Sequence, residues 1–270
     1  MGRIYCGTAI GRPYPITREN LALVAAARIE RVEIAFYGDA FAYRDESAVR
    51  EAERALAATG VASKSVHLDF GDHYDFSSLD EGLRRRAVED AKTALRACRA
   101  LGAAIAVVHG SDEPVADGDR AGRLGILNAS LAELCQAARD NGVRLALELL
   151  PRTCLGHTSA EALAAVKGLA AETIGFCVDT NHVNIREDPA AVVWSLGRRI
   201  LTFHISDNDG VDERHWFPFE GVIDWKSFMA AVKGIGYEGQ FIFETSGSLG
   251  GDVAGYLEEL RGRFDRLMAL

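Results

Sequence analysis

Eight times along the chain, a short apolar run rich in β-branched residues is followed by a longer stretch with helical spacing. That alternation restricts the fold more than any single motif does. The spacing predicts strands over 3–8, 32–36, 62–68, 104–109, 144–149, 174–178, 200–205 and 240–244. It predicts helices over 18–27, 47–59, 79–101, 120–141, 159–169, 190–196, 225–235 and 253–268. "RALGAAIAVV" and "RDNGVRLALEL" repeat one joint, a helix end, a glycine and an apolar strand, which is the αβ turn of a repeating βα unit. Gly60, Gly102 and Gly142 stand where helices should end, and Ser159 before "AEALAAV" suits an N-cap.

Eight βα units in about 250 residues predict an α/β fold of the (β/α)8 type, a TIM barrel formed as a single domain over 1–270. The competing architecture is an open doubly wound sheet, but no GxGxxG follows the first strand. With 6 prolines and no Ser/Pro/Gly-rich linker, nothing divides the 270 residues into two units.

Composition limits the setting. With 48% hydrophobic residues the chain can bury a sizeable core, yet no apolar run reaches the ~18 residues of a membrane span. The opening "MGRIYCGTAIGRPYP" lacks the long apolar stretch of a secretory signal. Five cysteines, at 6, 98, 135, 154 and 177, form no CxxC pair and read as reduced thiols of a cytoplasmic protein. A net charge of −9 gives no general attraction to nucleic acid or anionic lipid, so a small-molecule partner is expected. Oligomeric state stays open, a homo-oligomer included.

Barrel enzymes place their chemistry at the C-terminal ends of the strands and in the loops beyond. All seven histidines fall there: His67 and His73 with the third strand, His109 with the fourth, His157 with the fifth, His182 with the sixth, His204 and His215 with the seventh. Acids follow suit, since Glu148 ends "LALEL", Asp179 ends "GFCVD" and Glu244 ends "FIFE". A carboxylate after an apolar run loses hydration worth several kcal/mol unless a cation compensates it. Capping a helix or pairing with an arginine would do so for one acid. Glu148, Asp179, His204 and Glu244 lie on four consecutive strands, and that favours one shared divalent ion. Three carboxylates and an imidazole suit Mn²⁺ foremost, with Mg²⁺, Co²⁺ or Zn²⁺ as alternatives.

The set "ALEL", "CVDTNHVN", "FHISDNDG…RHWFPFEGVIDW" and "FIFET" resembles the xylose isomerase-like barrel superfamily, as do "RVEIAF", "SVHLDF" and "LGAAIAVVHGS" on the earlier strands. Nearly the whole chain is covered. The resemblance implies a metal-dependent isomerase or epimerase of a sugar or cyclitol, with Glu148, Asp179, His204 and Glu244 as metal ligands. It further implies Glu148 and Glu244 as the acid and base on opposite faces of the substrate, and His182 as a substrate contact. Such a site moves a proton beside a carbonyl through a metal-stabilised enediolate.

Endonuclease IV shares the superfamily and uses three zinc ions. Its ligands resemble His67, His109, Glu148, Asp179, His182, His204, His215 and Glu244, with Glu213 where that family has aspartate. Zinc-dependent phosphodiester hydrolysis is therefore the alternative, and a metal-dependent dehydratase or lyase of a related polyol a further one. Non-nuclease members also keep histidines on the third and fourth strands, and the chain shows no basic stripe for a DNA backbone. In the isomerase reading His67, His109, His215 and Trp216 are candidate substrate contacts. Trp216 equally suits a loop anchor. Glu33 is a candidate for orienting a ligating histidine or a substrate hydroxyl. Lys64 on the third strand carries the weaker suggestion of a Schiff base, against a solvated side chain. "TSGSLGGD", 245–252, is a candidate phosphate site ahead of the last helix.

Overall fold

The computed structural model describes residues 3–11, 14–245 and 252–270. Its strands are β1 (Tyr5–Ile10), β2 (Arg31–Ala35), β3 (Ala62–His67), β4 (Ile105–Val108), β5 (Arg144–Glu148), β6 (Ile174–Asp179), β7 (Ile200–Ile205) and β8 (Gln240–Phe243). All neighbours pair in parallel and β8 closes on β1, giving the expected (β/α)8 barrel. Helices α1 (Arg18–Ala26), α2 (Glu46–Thr59), α3 (Glu81–Ala100), α4 (Arg120–Asp140) and α5 (Ser159–Ala165) follow the first five strands. A one-turn helix α6 (Thr180–Val183) and then α7 (Pro189–Leu196) follow β6, α8 (Trp225–Gly234) follows β7, and α9 (Val253–Met268) follows β8. None of the described helices is long and apolar enough to cross a membrane.

Two burial zones hold this together. The larger lies between strands and helices, with Phe36, Phe176, Phe203, Phe228 and Phe241 among its bulkiest buried side chains. Val107, Ala146, Cys177 and Leu201 form a separate buried cluster inside the barrel. Because side chains alternate across a strand, three of these sit one inward step below a rim residue. Ala146 lies below Glu148, Cys177 below Asp179, and Val107 below His109. Leu201 joins them because a register shift between β6 and β7 brings Thr202, not Leu201, opposite Cys177. Deeper in the interior, Gln240 Nε2 donates to Ser65 Oγ at 2.7 Å and to Thr202 Oγ1 at 3.3 Å, and Glu33 is the buried acid beneath His204.

The end signals hold in part. Gly60, Gly102 and Gly142 all take positive φ at helix ends. The N-cap of α5 is Thr158, whose hydroxyl accepts from Glu161 N, so Ser159 is the first helical residue. The first strand lies two residues later than the sequence suggested, because its partners are Arg31–Ile34 on one side and Gln240–Phe243 on the other. The helix expected over 159–169 stops at Ala165.

Candidate metal centre and active site

Each rim residue is delivered by its strand. Glu148 ends β5, Asp179 ends β6, His204 lies one residue before the end of β7, and Glu244 follows β8 directly. Asp179 pairs in register with His204, and Glu148 with Cys177. The ligand atoms of Glu148, Asp179, His204 and Glu244 all lie within 4.8 Å of one another. His204 Nδ1 is 3.3 Å from Glu148 Oε1, 3.4 Å from Glu244 Oε2 and 4.0 Å from Asp179 Oδ2. Glu148, Asp179 and His204 are buried, and Glu244 is nearly so.

The donor set fits a cation on one specific observation. Asp179 Oδ1 caps α6, accepting from Asn181 N and His182 N, whereas the buried Oδ2 accepts no hydrogen bond. A buried carboxylate oxygen without a hydrogen bond is costly, and with only His182 Nδ1 at 3.6 Å beside it a divalent ion would supply a closer partner. On its far side, His204 Nε2 lies 2.8 Å from Glu33 Oε1 at the base of the site. That contact lies off the hydrogen-bond direction, so both atoms remain without a directed bond. A carboxylate behind a ligating imidazole fixes its orientation and raises its basicity. Glu33 therefore lies against the histidine and does not line the cavity at the mouth.

Without a cation the charges are balanced by imidazoles. Burial would raise the Glu148 carboxyl, but His204 and His109 overcome this and hold it well below the usual range. Burial and the neighbouring Glu148 and Asp179 push Glu244 up against the pull of His204. Burial would lower His182, yet Asp179, Glu148 and Glu213 raise it to about 10. Burial drops His109 to about 4.

A second group of histidines borders the centre. His67 Nδ1 donates to Leu68 O, turning Nε2 to Glu148 Oε2 at 3.1 Å, and His109 Nε2 approaches the same oxygen at 3.2 Å. His182 Nδ1 lies 3.3 Å from Glu148 Oε1, and His215 Nδ1 donates to the Glu244 carbonyl at 3.0 Å. Four further sets among the described residues could each hold an ion, and two of them extend away from the centre: His67, His109 and Glu148, and His182, Glu213 and His215.

These side chains line a cavity of about 320 Å³ at the mouth. Tyr37, Phe70 and Arg152 also line it, and the sequence reading had given none of them a role. Tyr37 meets the His67 ring edge-on at 5.1 Å, and Phe70 stacks on His109 at 4.4 Å. Arg152, in the left-handed region at φ 47°, pairs with Glu113 at 2.5 Å, Glu213 at 3.0 Å and Asp212 at 3.3 Å. One guanidinium thus ties the loops after β4, β5 and β7. No local pattern announces such residues, because their neighbours are distant in sequence.

The loop after β7 hangs on Asp207. Its buried carboxylate accepts from Asn208 N, Phe219 N, Ile223 N and Trp225 Nε1. Gly221 is required beside it, since a Cβ there would lie 2.3 Å from Asp207 Oδ1 and 2.1 Å from Asn208 O. Asn181 Oδ1 accepts from Arg214 N and His215 N, and His215 is held at φ 50°. Trp216 is 38% exposed and does not line the mouth; its backbone pairs with Asp207 in both directions. The geometry matches the loop anchor. Lys64 is exposed at the opposite end of the barrel, away from this chemistry. His73 is exposed beside Asp69 and Asp72, and His157 Nδ1 donates to Arg152 O. The candidate phosphate segment 245–252 falls, over 246–251, outside the described residues.

Comparison with known proteins agrees with this architecture. The profile of the family described as "Xylose isomerase-like TIM barrel" matches residues 21–265. An uncharacterised protein of Methanocaldococcus jannaschii is 31% identical over 67% of this chain, the match spanning 63% of that protein. A ketose 3-epimerase of Arthrobacter globiformis is 27% identical over 74% of this chain and 69% of its own length. An inosose isomerase of Bacillus velezensis is 25% identical over 60% of each. Among solved structures, a D-tagatose 3-epimerase-like protein superposes with a TM-score of 0.82, covering 98% of this chain and 99% of its own. A D-psicose 3-epimerase of Clostridium cellulolyticum H10, with D-tagatose, gives 0.80 over the same shares. At 24% and 19% identity these two structures establish likeness of fold.

Proposed function

The chain belongs to the xylose isomerase-like TIM barrel family, and we propose that within it the protein is a divalent-metal-dependent isomerase or epimerase acting on a sugar or cyclitol. The observation that carries this reading is the convergence of Glu148, Asp179, His204 and Glu244 within 4.8 Å, with Asp179 Oδ2 buried and unbonded. The curated relatives include a ketose 3-epimerase and an inosose isomerase, which act on such compounds by name. Mn²⁺ is the proposed ion, and the five buried free cysteines accord with a reducing, cytoplasmic setting.

Glu148, Asp179, His204 and Glu244 would hold the ion, and Glu33 would fix the His204 ring. When bound, a divalent ion stabilises negative charge developing on a carbonyl oxygen. Glu148 and Glu244 come from β5 and from the end of β8, so they face a substrate from different sides of the mouth. One takes the proton from the carbon beside the carbonyl, and the other delivers a proton to the opposite face. His182, His67 and His109 border Glu148 closely enough to bind substrate hydroxyls. Tyr37 and Phe70 exclude water from one side.

A second reading, phosphodiester cleavage with three zinc ions, is favoured by the two adjacent ion-holding sets that include His67–His109 and His182–His215. The mouth speaks against it. Asp112, Glu113 and Glu213 line it, and its one arginine is already paired with acids. Those acids repel a phosphate backbone. Metal stoichiometry separates the readings: one ion per chain is expected here, three zinc ions for the nuclease. Metal-loaded protein incubated with ketoses and inososes in deuterated water should place solvent deuterium at one carbon. Removing the ion with a chelator should abolish that exchange. Three ions together with cleavage of abasic DNA would defeat the proposal.

A further inference from the structure

The end of the barrel away from the metal ligands has a hollow of its own, about 670 Å³ against 320 Å³ for the cavity at the mouth. Its charged walls are Arg31, Lys64, Arg144, Arg198 and Glu238. Arg31 opens β2 and Arg144 opens β5, so the strand starts deliver both. Lys64 is the extra residue of a bulge: Ser63 pairs with Val32 and Ser65 with Glu33, and nothing on β2 stands opposite the lysine. Arg198 lies in the 3₁₀ turn Gly197–Arg199 that leads into β7.

Four cations thus meet one acid. The chain has 39 acids to 30 lysines and arginines, so partners are plentiful. Arginines elsewhere have them: Arg120 pairs with Glu161, Arg123 with Asp75 and Arg263 with Glu220. None of the four around the hollow forms an ion pair with a described residue. Arg31 has the Tyr5 ring and Arg144 the Ala171 carbonyl, contacts that leave both charges uncompensated. The Nε of Arg144 is buried with no hydrogen bond at all.

Helix ends do not make up the difference. Gly197 and Ile235 cap the C-termini of α7 and α8 at this hollow, and each end carries about half a negative charge. Together with Glu238 they leave a surplus of about two positive charges. A concave surface lined by one sign concentrates its field on an incoming counter-ion. Guanidinium groups also match phosphate oxygens two at a time, and three of the four cations are arginines.

We infer that this hollow is a binding site for a small molecule carrying clustered phosphate charges, at least two of them, and that it is separate from whatever the mouth transforms. The volume falls within the range of small-ligand sites, roughly 300–1,000 Å³. An extended polyanion such as nucleic acid fits less well, because beyond the hollow it meets a protein of net charge −9. Inorganic oligophosphates and nucleotides share the required chemistry, and the test tells them apart.

Tripolyphosphate, ATP, orthophosphate and adenosine are titrated calorimetrically at constant ionic strength. The protein is first freed of metal, so that capture of an ion from the mouth cannot mimic binding. Tripolyphosphate should bind at least tenfold more tightly than orthophosphate, and adenosine should not bind. ATP no tighter than tripolyphosphate identifies the phosphates alone as the ligand; ATP tenfold tighter identifies a nucleotide. The double variant Lys64→Gln/Arg198→Gln removes two of the charges from exposed positions, which spares the core. It should weaken tripolyphosphate binding at least tenfold while its urea melt stays that of the unmodified protein. Arg54→Gln/Lys226→Gln removes two exposed charges that do not line the hollow and should leave binding unchanged. Tripolyphosphate no tighter than orthophosphate would overturn the inference. So would equal affinity in the two double variants, or binding of an RNA oligonucleotide by protein that ignores tripolyphosphate.

Discussion

At the C-terminal rim, Glu148, Asp179 and His204 are buried and Asp179 Oδ2 has no donor. At the N-terminal rim, Arg31, Lys64, Arg144 and Arg198 surround a cavity of about 670 Å³, and all keep some contact with solvent. Both rims gather charge, but the upper rim buries it more deeply; at the lower rim the cost falls mainly on Arg144, whose pKa burial lowers and whose Nε has no hydrogen bond. The lower arginines are accommodated one by one: Arg31 lies 4.1 Å above the Tyr5 ring, and Arg144 Nη2 donates to Ala171 O at 2.7 Å. Helix C-termini also face that rim, and cations complement them. Deeply buried carboxylates that converge on one point set the upper rim apart; the charges of the lower rim keep contact with solvent.

The sharpest way to break this contrast is at the upper rim. Glu148→Gln or Glu244→Gln is expected to lower kcat/KM by roughly 10²–10⁴-fold while part of the metal binding survives, measured by turnover and metal analysis of the same samples. Wild-type rates in both variants would remove these residues from the chemistry. Next comes the support beneath: Glu33→Gln should weaken metal affinity by about 10–100-fold, read from competition with a chelating dye. Unchanged affinity would reduce Glu33 to a buried charge without purpose.

A part-buried acid that does have its partner sharpens the comparison. Glu161 accepts from Gly156 N and pairs with Arg120 at 2.7 Å, and Arg120 also bonds Thr153 O and Cys154 O. Burial would raise the Glu161 carboxyl, but Arg120 and the Gly156 N–H hold it below the usual range. Its stabilisation is therefore complete above the ordinary carboxylate range and is lost as pH falls through the depressed folded value. Glu161→Gln should cost roughly 1.5–3 kcal/mol at neutral pH and flatten the acid side of a plot of Tm against pH. A parallel acid limb in the variant would contradict the assignment. The smallest effect belongs to the lower rim, where Lys64→Gln should change stability by no more than about 0.5 kcal/mol in urea melts and leave turnover alone. A large loss of activity there would erase the distinction between the rims.

The barrel was legible because its signal repeats: eight joints err independently, and closure corrects each. The first strand came out two residues early because "RIYCGTAI" has no sharp polar boundary at its C-terminal end, where Ala9 and Ile10 continue the run, and only its partners set the register. Glu148, Asp179, His204 and Glu244 were legible because a charge ending an apolar run needs a reason. Tyr37 and Arg152 were not, since nothing local distinguishes a loop tyrosine or arginine that meets groups tens of residues away. The turn Thr180–Val183 is too short to show a period, and Asp207 looked like one acid among several until four donors converged on it.

That convergence separates two kinds of change open to the family's chemistry. With residues 207 to 225 cinched to one carboxylate, exposed positions between the anchors, such as Val211 and Val222, can drift in sequence while the ends and Gly221 stay fixed. New preferences for what enters the mouth can then be sampled there without disturbing the ion-holding strands. Under the proposed function, a single aspartate would make recognition and reactivity separately adjustable.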